Sequence, residues 1–216
     1  MKDMGETNVI LGVKIIRKDD SIILSQGHYV EKLLKKFGYF DTKPVNTPYD
    51  ANTQLKKNIG EPVAQSKYAQ IIGSLLRLMN LTRPDIAYAV CRLSRYTHNP
   101  NYEHWSAIMK LMRYLKGTIN YGIHFSGFPT VLEGYSDANW ISDSDEIKST
   151  SGYVFTFGGG TISWKSAKQT LIARSTMESE FIALELTEMN LADPLTKPLK
   201  RKLVNETSRG MGLMPI

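Results

Sequence analysis

Glu133-Gly134-Tyr135-Ser136-Asp137-Ala138-Asn139-Trp140 says more about this chain than any other stretch. Val131 to Tyr135 reads as a short apolar strand, and an acidic side chain follows at its end. An aspartate leaving a strand is ordinarily a turn residue bonded to its own backbone. A carboxylate at a strand end, with others on a helix and at a helix start, is also what a protein uses to hold a pair of magnesium ions.

The neighbouring segments give this strand its company. Tyr121 to Phe125, Tyr153 to Phe157 and Thr161 to Trp164 read as three further strands, and Gly158-Gly159-Gly160 is a turn signal between the last two. The aromatics of Tyr153-Val154-Phe155-Thr156-Phe157 alternate, as on one buried sheet face. A helix starts near Ser175, where Ser175-Thr176-Met177-Glu178 has the spacing of a capping box. Glu178 is therefore expected to reach back to the Ser175 amide. Glu180 has no such task and shares a helix side with Ala183 and Leu184. Asp193 precedes Pro194, a combination that suits a helix start, where the helix dipole favours a carboxylate. The basic, glycine-containing segment from Lys197 to Ile216 is expected to be partly disordered.

Upstream, Val9 to Ile16 reads as one strand, Asp19-Asp20-Ser21 as a turn and Ile22 to Ser25 as the return strand. A helix follows over Gly27 to Phe37, with Tyr29, Val30, Leu33, Leu34 and Phe37 on one stripe, Lys32, Lys35 and Lys36 off it, and Gly38 ending it. Asp41 to Pro62, with three prolines and little periodicity, reads as a linker. Three helices come next. Ser66 is the expected N-cap of the first, which carries Tyr68, Ile71, Ile72, Leu75, Leu76 and Met79 on one side. Pro84 opens the second, with a stripe of Ile86, Val90 and Leu93. The third runs from Tyr102 to Gly117, with Trp105, Ile108, Met109, Met112 and Leu115 facing inward.

Composition sets the frame. The chain has 216 residues, of which 42% are hydrophobic, enough for packed cores. A net charge of +6 suits a polyanionic partner or a modestly basic surface. The single cysteine, Cys91, excludes an internal disulfide and reads as core filler. The four histidines lack zinc-ligand spacing. There is no apolar run of membrane-spanning length and no signal peptide, so no membrane is expected and the setting reads as cytoplasmic or nuclear.

Read together, Leu11-Gly12-Val13-Lys14-Ile15, Ile72-Gly73-Ser74-Leu75-Leu76, Thr82-Arg83-Pro84-Asp85-Ile86-Ala87-Tyr88-Ala89-Val90, Gly134 to Trp140, Ser151-Gly152-Tyr153 and Ala192-Asp193-Pro194-Leu195-Thr196-Lys197 resemble the end of the Pol polyprotein of copia-type retrotransposons. The resemblance covers nearly the whole chain. It implies a mixed α/β (α+β) chain in three parts: residues 1–60 as the end of a reverse transcriptase palm with a primer-grip-like hairpin and linker, 61–120 as a helical thumb or connection, and 121–216 as a truncated ribonuclease H-like domain.

The implied chemistry is cleavage of RNA in an RNA–DNA hybrid by two Mg2+ ions about 3.5–4 Å apart, with Asp137, Glu180 and Asp193 as metal-holding, catalytic carboxylates. The family's fourth carboxylate sits on a central strand between the helix of Glu180 and Asp193. Here only Glu185 to Met189 fill that interval, too short for a strand. An internal deletion and a gene model that skipped sequence both account for this. The loss is expected to expose apolar surface on Tyr153, Phe155 and Trp164. The polymerase aspartate pair of the family precedes Met1, and Asp19-Asp20 is turn chemistry. Leu11 and Gly12 resemble the primer grip. Lys67, Arg77, Arg83, Arg92, Arg95, Lys110, Arg113 and Lys116 are the candidate backbone contacts to an RNA–DNA hybrid or DNA duplex. Other Pol or Gag-type proteins of the element are further expected partners. A non-catalytic remnant that binds nucleic acid, and a helical interaction module, are the competing readings.

Overall fold

The structure is a computed structural model that describes residues 7–50, 55–127, 131–143, 148–183 and 201–216. Its element order begins with three strands and a helix: β1 (Val9–Ile10), β2 (Val13–Lys18), β3 (Ser21–Ser25) and α1 (Gly27–Phe37). Three helices follow: α2 (Gln65–Leu81), α3 (Ala87–Ser94, entered through a 3-10 turn at Pro84–Ile86) and α4 (Tyr102–Gly117). The last part holds β4 (Tyr121–Phe125), β5 (Glu133–Asp143), β6 (Lys148–Phe157), β7 (Gly160–Lys168), α5 (Thr176–Ala183), α6 (Arg201–Gly210) and β8 (Leu213–Pro215). The described residues form a mixed α/β structure with two antiparallel sheets, ordered β1-β2-β3-β4-β8 and β5-β6-β7. No helix among the described residues is long and apolar enough to cross a membrane.

Helix α1 runs over the residues its periodicity predicts, with Val30, Leu33 and Leu34 buried and Gly38 closing it in the left-handed conformation. Several local expectations are corrected. The strand over 9–16 is broken at Leu11-Gly12, whose φ values of 51° and 81° make a tight hairpin turn between β1 and β2. The N-cap of α2 is Ala64 at φ 43°, not Ser66. In α4, Met109 is exposed, while Leu111 and Tyr114 are buried beside Ile108, Met112 and Leu115. The linker segment contributes two core residues, Tyr49 and Leu55, to the same cluster as the helices. Tyr96 ties it down by donating to the Leu55 carbonyl at 2.9 Å.

The aromatics of β6 do not occupy its buried face. Gly152, Val154 and Thr156 are buried, and Tyr153 and Phe155 are half-buried on the other face. Packing decided against aromatic weight here: it is Val154 that joins the core cluster of the helices. Trp164 is not left bare either: it packs on the helical core and its indole donates to the Met79 carbonyl at 2.8 Å.

The largest correction concerns the C-terminus. Residues 201–216 form α6 and β8, and Val204, Met211 and Leu213 are buried. Strand β8 pairs with β4, so one sheet joins the start and end of the chain. At the junction Gly212, at φ 70°, lies against the Gly159 carbonyl, where a side chain has no room.

Asn101 caps α4 through a reciprocal box with His104, whose Nδ1 accepts from the Asn101 amide at 2.9 Å. The ring is buried and stacked on Tyr96 with centroids 3.9 Å apart. Burial pushes the His104 imidazole below its ordinary value, and burial does the same to His124. A depressed folded-state pKa means that the unfolded chain takes the proton first. The neutral rings thus contribute stability that is intact above the ordinary histidine value of about 6.5 and is lost as pH falls below it. The urea midpoint is expected to fall between about pH 7.5 and pH 5.5, and His104→Gln to flatten that fall. An unchanged pH dependence in the variant would assign it to other groups.

Candidate functional site

Asp137 lies inside β5, not at the end of a strand closing at Tyr135 as expected, because β5 stays paired with β6 beyond it; its register partner is Gly152 of β6. Residues paired across an antiparallel ladder point to one face, so Asp137 shares its face with Gly152, Val154, Trp164 and Ser166. That face turns toward the helices: Val154 is fully buried in their core, and the Cys91 thiol donates to the Ser166 carbonyl at 3.1 Å. Asp137 itself is 3% exposed.

Helix α5 packs against β5 and β6. Gln169 fixes its position by donating to the Ser151 hydroxyl at 2.7 Å and to the Ser179 carbonyl at 3.0 Å. The Trp140 indole adds a bond to the Ala173 carbonyl at 3.0 Å. Ser151 pairs with Ala138, on the face opposite Asp137. The helix therefore covers the far face of the strand that bears Asp137. A shared ligand for Asp137 and Glu180 has to sit at the outer edge of β5, where the described residues supply no neighbouring strand.

The capping expectation holds with one change. Ser175 accepts from the Glu178 amide at 3.1 Å, but the Glu178 carboxylate accepts from the Arg174 amide, not that of Ser175. Glu180 is half-buried, between buried Ser179 and Ala183 on one side and Phe181, 75% exposed, on the other. Leu184 and Asp193 lie outside the described residues. Among those described, no three His, Cys, Asp or Glu side chains gather where they could hold a metal ion. A close pair of dications needs several such donors.

The candidate nucleic-acid contacts separate into two groups. Arg83 is 1% exposed and cannot reach a phosphate. Its guanidinium forks onto both Asp85 oxygens at 2.9 and 2.7 Å and donates to the Thr118 carbonyl and hydroxyl at 3.1 and 2.7 Å. Tyr114 completes the cluster by donating to Asp85 at 2.8 Å, and burial followed by the Asp85 charge holds its phenol well above the ordinary range. Arg92 is also buried, beside Tyr49. Both arginines are withdrawn as backbone contacts, since burying a cation requires committing it to partners inside the protein.

Arg95 is half-buried at the end of α3. Lys110 pairs with Asp50 at 3.2 Å, and Arg113 donates to the Lys43 carbonyl at 2.7 Å, so both help to hold residues 43–50 against α4. Between them lies a groove of about 750 Å³, lined in part by Tyr39, Tyr49 and Met109. Leu11 is 79% exposed at a hairpin tip, and Arg77 on α2 anchors that tip through a 2.8 Å bond to the Leu11 carbonyl. The alternation of cation and acid in Arg83-Pro84-Asp85 was the available signal for the buried pair. Its meaning depended on Thr118 and Tyr114, far along the chain.

The comparisons with known proteins bear on this geometry. The chain is 43% identical over 192 residues to the retrovirus-related Pol polyprotein from transposon TNT 1-94 of Nicotiana tabacum, covering 85% of this chain and 14% of that protein. It is 38% identical over 193 residues to the corresponding polyprotein from transposon RE1 of Arabidopsis thaliana, covering 88% of this chain and 13% of the relative. An uncharacterized mitochondrial protein of Arabidopsis thaliana is 31% identical over 192 residues, covering 88% of this chain and 80% of its own length. The chain thus spans about one seventh of the Pol polyproteins it matches. No family model matches the chain, and no solved structure does.

Proposed function

This chain belongs to the retrovirus-related Pol polyproteins of copia-type transposons, and we propose that it is a fragment of their reverse transcriptase and ribonuclease H parts that holds duplex nucleic acid without cutting it. The supporting observation is the frame around Asp137. Its strand stands at the edge of a three-stranded sheet among the described residues. In the sequence, Glu185 to Met189 alone join the Glu180 segment to the segment 190–193, where the family has a carboxylate-bearing strand, helices and another strand. The side chain is turned to the buried face. A two-ion site needs rigidly placed oxygens from several elements, and losing one support leaves the rest without a fixed geometry. The pair of Mg2+ ions that the family uses is therefore not held here.

Grip survives where cutting does not, because backbone contacts need only charge and shape. An RNA–DNA hybrid or a DNA duplex is the proposed partner. The direct test compares hybrid cleavage in Mg2+ by the chain and by Asp137→Asn. Neither is expected to cut. Mg2+-dependent cleavage by the chain that disappears in Asp137→Asn would reinstate the enzyme reading.

A further inference from the structure

Exposed Lys35 and Lys36 of α1 and half-buried Lys116 in the last turn of α4 converge on two rings, and that convergence is not explained by either helix alone. His28, Lys32, Lys35 and Lys36 are all exposed, spaced to form one stripe of α1. The Lys35 ammonium stands 4.8 Å from the Phe40 ring centroid. The Lys116 ammonium, arriving from α4, stands 3.8 Å from the same ring. Lys36 lies over Phe37 at 5.0 Å. Glu31 bonds Lys35 at 2.6 Å and is the carboxylate that offsets this group.

Basic residues in a last turn compensate the helix dipole, which accounts for part of the pattern. It does not account for Lys32, a turn earlier, or for two helices delivering ammonium groups to one ring. Cation–aromatic contacts hold those charges in place, so less side-chain freedom is lost when they bind. They also occupy the Phe37 and Phe40 faces, which removes them as platforms for unstacked bases.

We propose that the surface formed by Lys32, Lys35 and Lys36 of α1 with Lys116 of α4 is a docking surface for the phosphate backbone of a nucleic-acid duplex. This rests on the duplex-holding reading above and locates it at residues other than Arg83 and Arg92. Recognition is through charge spacing, without base contacts, so it is indifferent to sequence.

The test is fluorescence anisotropy with a labelled RNA–DNA hybrid over a salt series. The proteins are the chain, Lys32→Glu/Lys36→Glu, Lys116→Gln, and Lys18→Glu/Lys165→Glu, which changes charge equally at exposed positions on the two sheets. Circular dichroism checks that each is folded. The α1 double variant is expected to lose about tenfold or more in affinity and about 2 in the slope of log K against log salt. Lys116→Gln is expected to reduce the slope by about 1, and the sheet variant to lose markedly less affinity than the α1 variant. Equal losses in the α1 and sheet variants would overturn the assigned surface while leaving duplex binding intact. Tighter binding of the single strand, or of vesicles rich in anionic lipid, would overturn the duplex as partner. A wild-type chain with no salt-dependent duplex binding would overturn the duplex-holding reading itself, and this surface with it.

Discussion

Asp85→Ala lowers the stability of this chain by about 3–5 kcal/mol, the cost of breaking a buried ion pair from one side. The substitution removes both acceptors of the Arg83 fork and the acceptor of the Tyr114 hydroxyl. Arg83 is 1% exposed and cannot turn out to water without opening the contact among the 3-10 turn, α4 and β4. The guanidinium stays charged at any relevant pH, so it cannot escape by losing its proton. Removing both charges is a different experiment. Arg83→Met/Asp85→Leu leaves no orphaned ion and is expected to recover most of the loss. Urea titration reads both. A single variant within about 1 kcal/mol of the parent would mean that the pair is not buried as described.

Deleting residues 211–216 is expected to have the other large effect, about 4 kcal/mol or more. Met211 and Leu213 are fully buried, and large-to-small changes at such positions each cost about 2–5 kcal/mol. The deletion also strips β4 of its β8 partner and removes the Met211 carbonyl, which accepts from the Thr161 hydroxyl at 2.7 Å. A domain of this kind has about 5–15 kcal/mol in all. The truncated chain should therefore lose its cooperative urea transition or shift it to much lower denaturant. Met214→Ala, at a position 36% exposed, serves as the control and should change little. Truncation without loss of cooperativity would show that the last strand is an appendage.

The parts legible from sequence are those governed by local rules. Helix α1 and α4 begin and end where periodicity and punctuation put them, because Gly38 and Asn101 act on their own helices. The strand bearing Asp137 was legible only in part: its apolar pattern announced a strand, but the expected turn after Tyr135 is more strand, because β5 stays paired with β6 through Asn139. The misread parts depend on distant chain. Arg83 looks like a surface cation until Asp85, Tyr114 and Thr118 close around it. The final segment looks like a basic tail until β4 offers it an edge. The β6 aromatics look like a core face until the helices claim Val154 instead. At the candidate site, sequence named the carboxylates but not the sheet faces, which only the register assigns. The α1 lysines stood off the apolar stripe in the sequence. The meeting of Lys35 with Lys116 over Phe40 required the packing of α1 on α4.

One sample tests the two halves of the functional account together. An end-labelled RNA–DNA hybrid is incubated with the chain in Mg2+ and then divided between a native and a denaturing gel. The expected result is a hybrid retarded on the first and full-length on the second. Shortened RNA that depends on Asp137, or a hybrid that migrates free of protein at low salt, would contradict it.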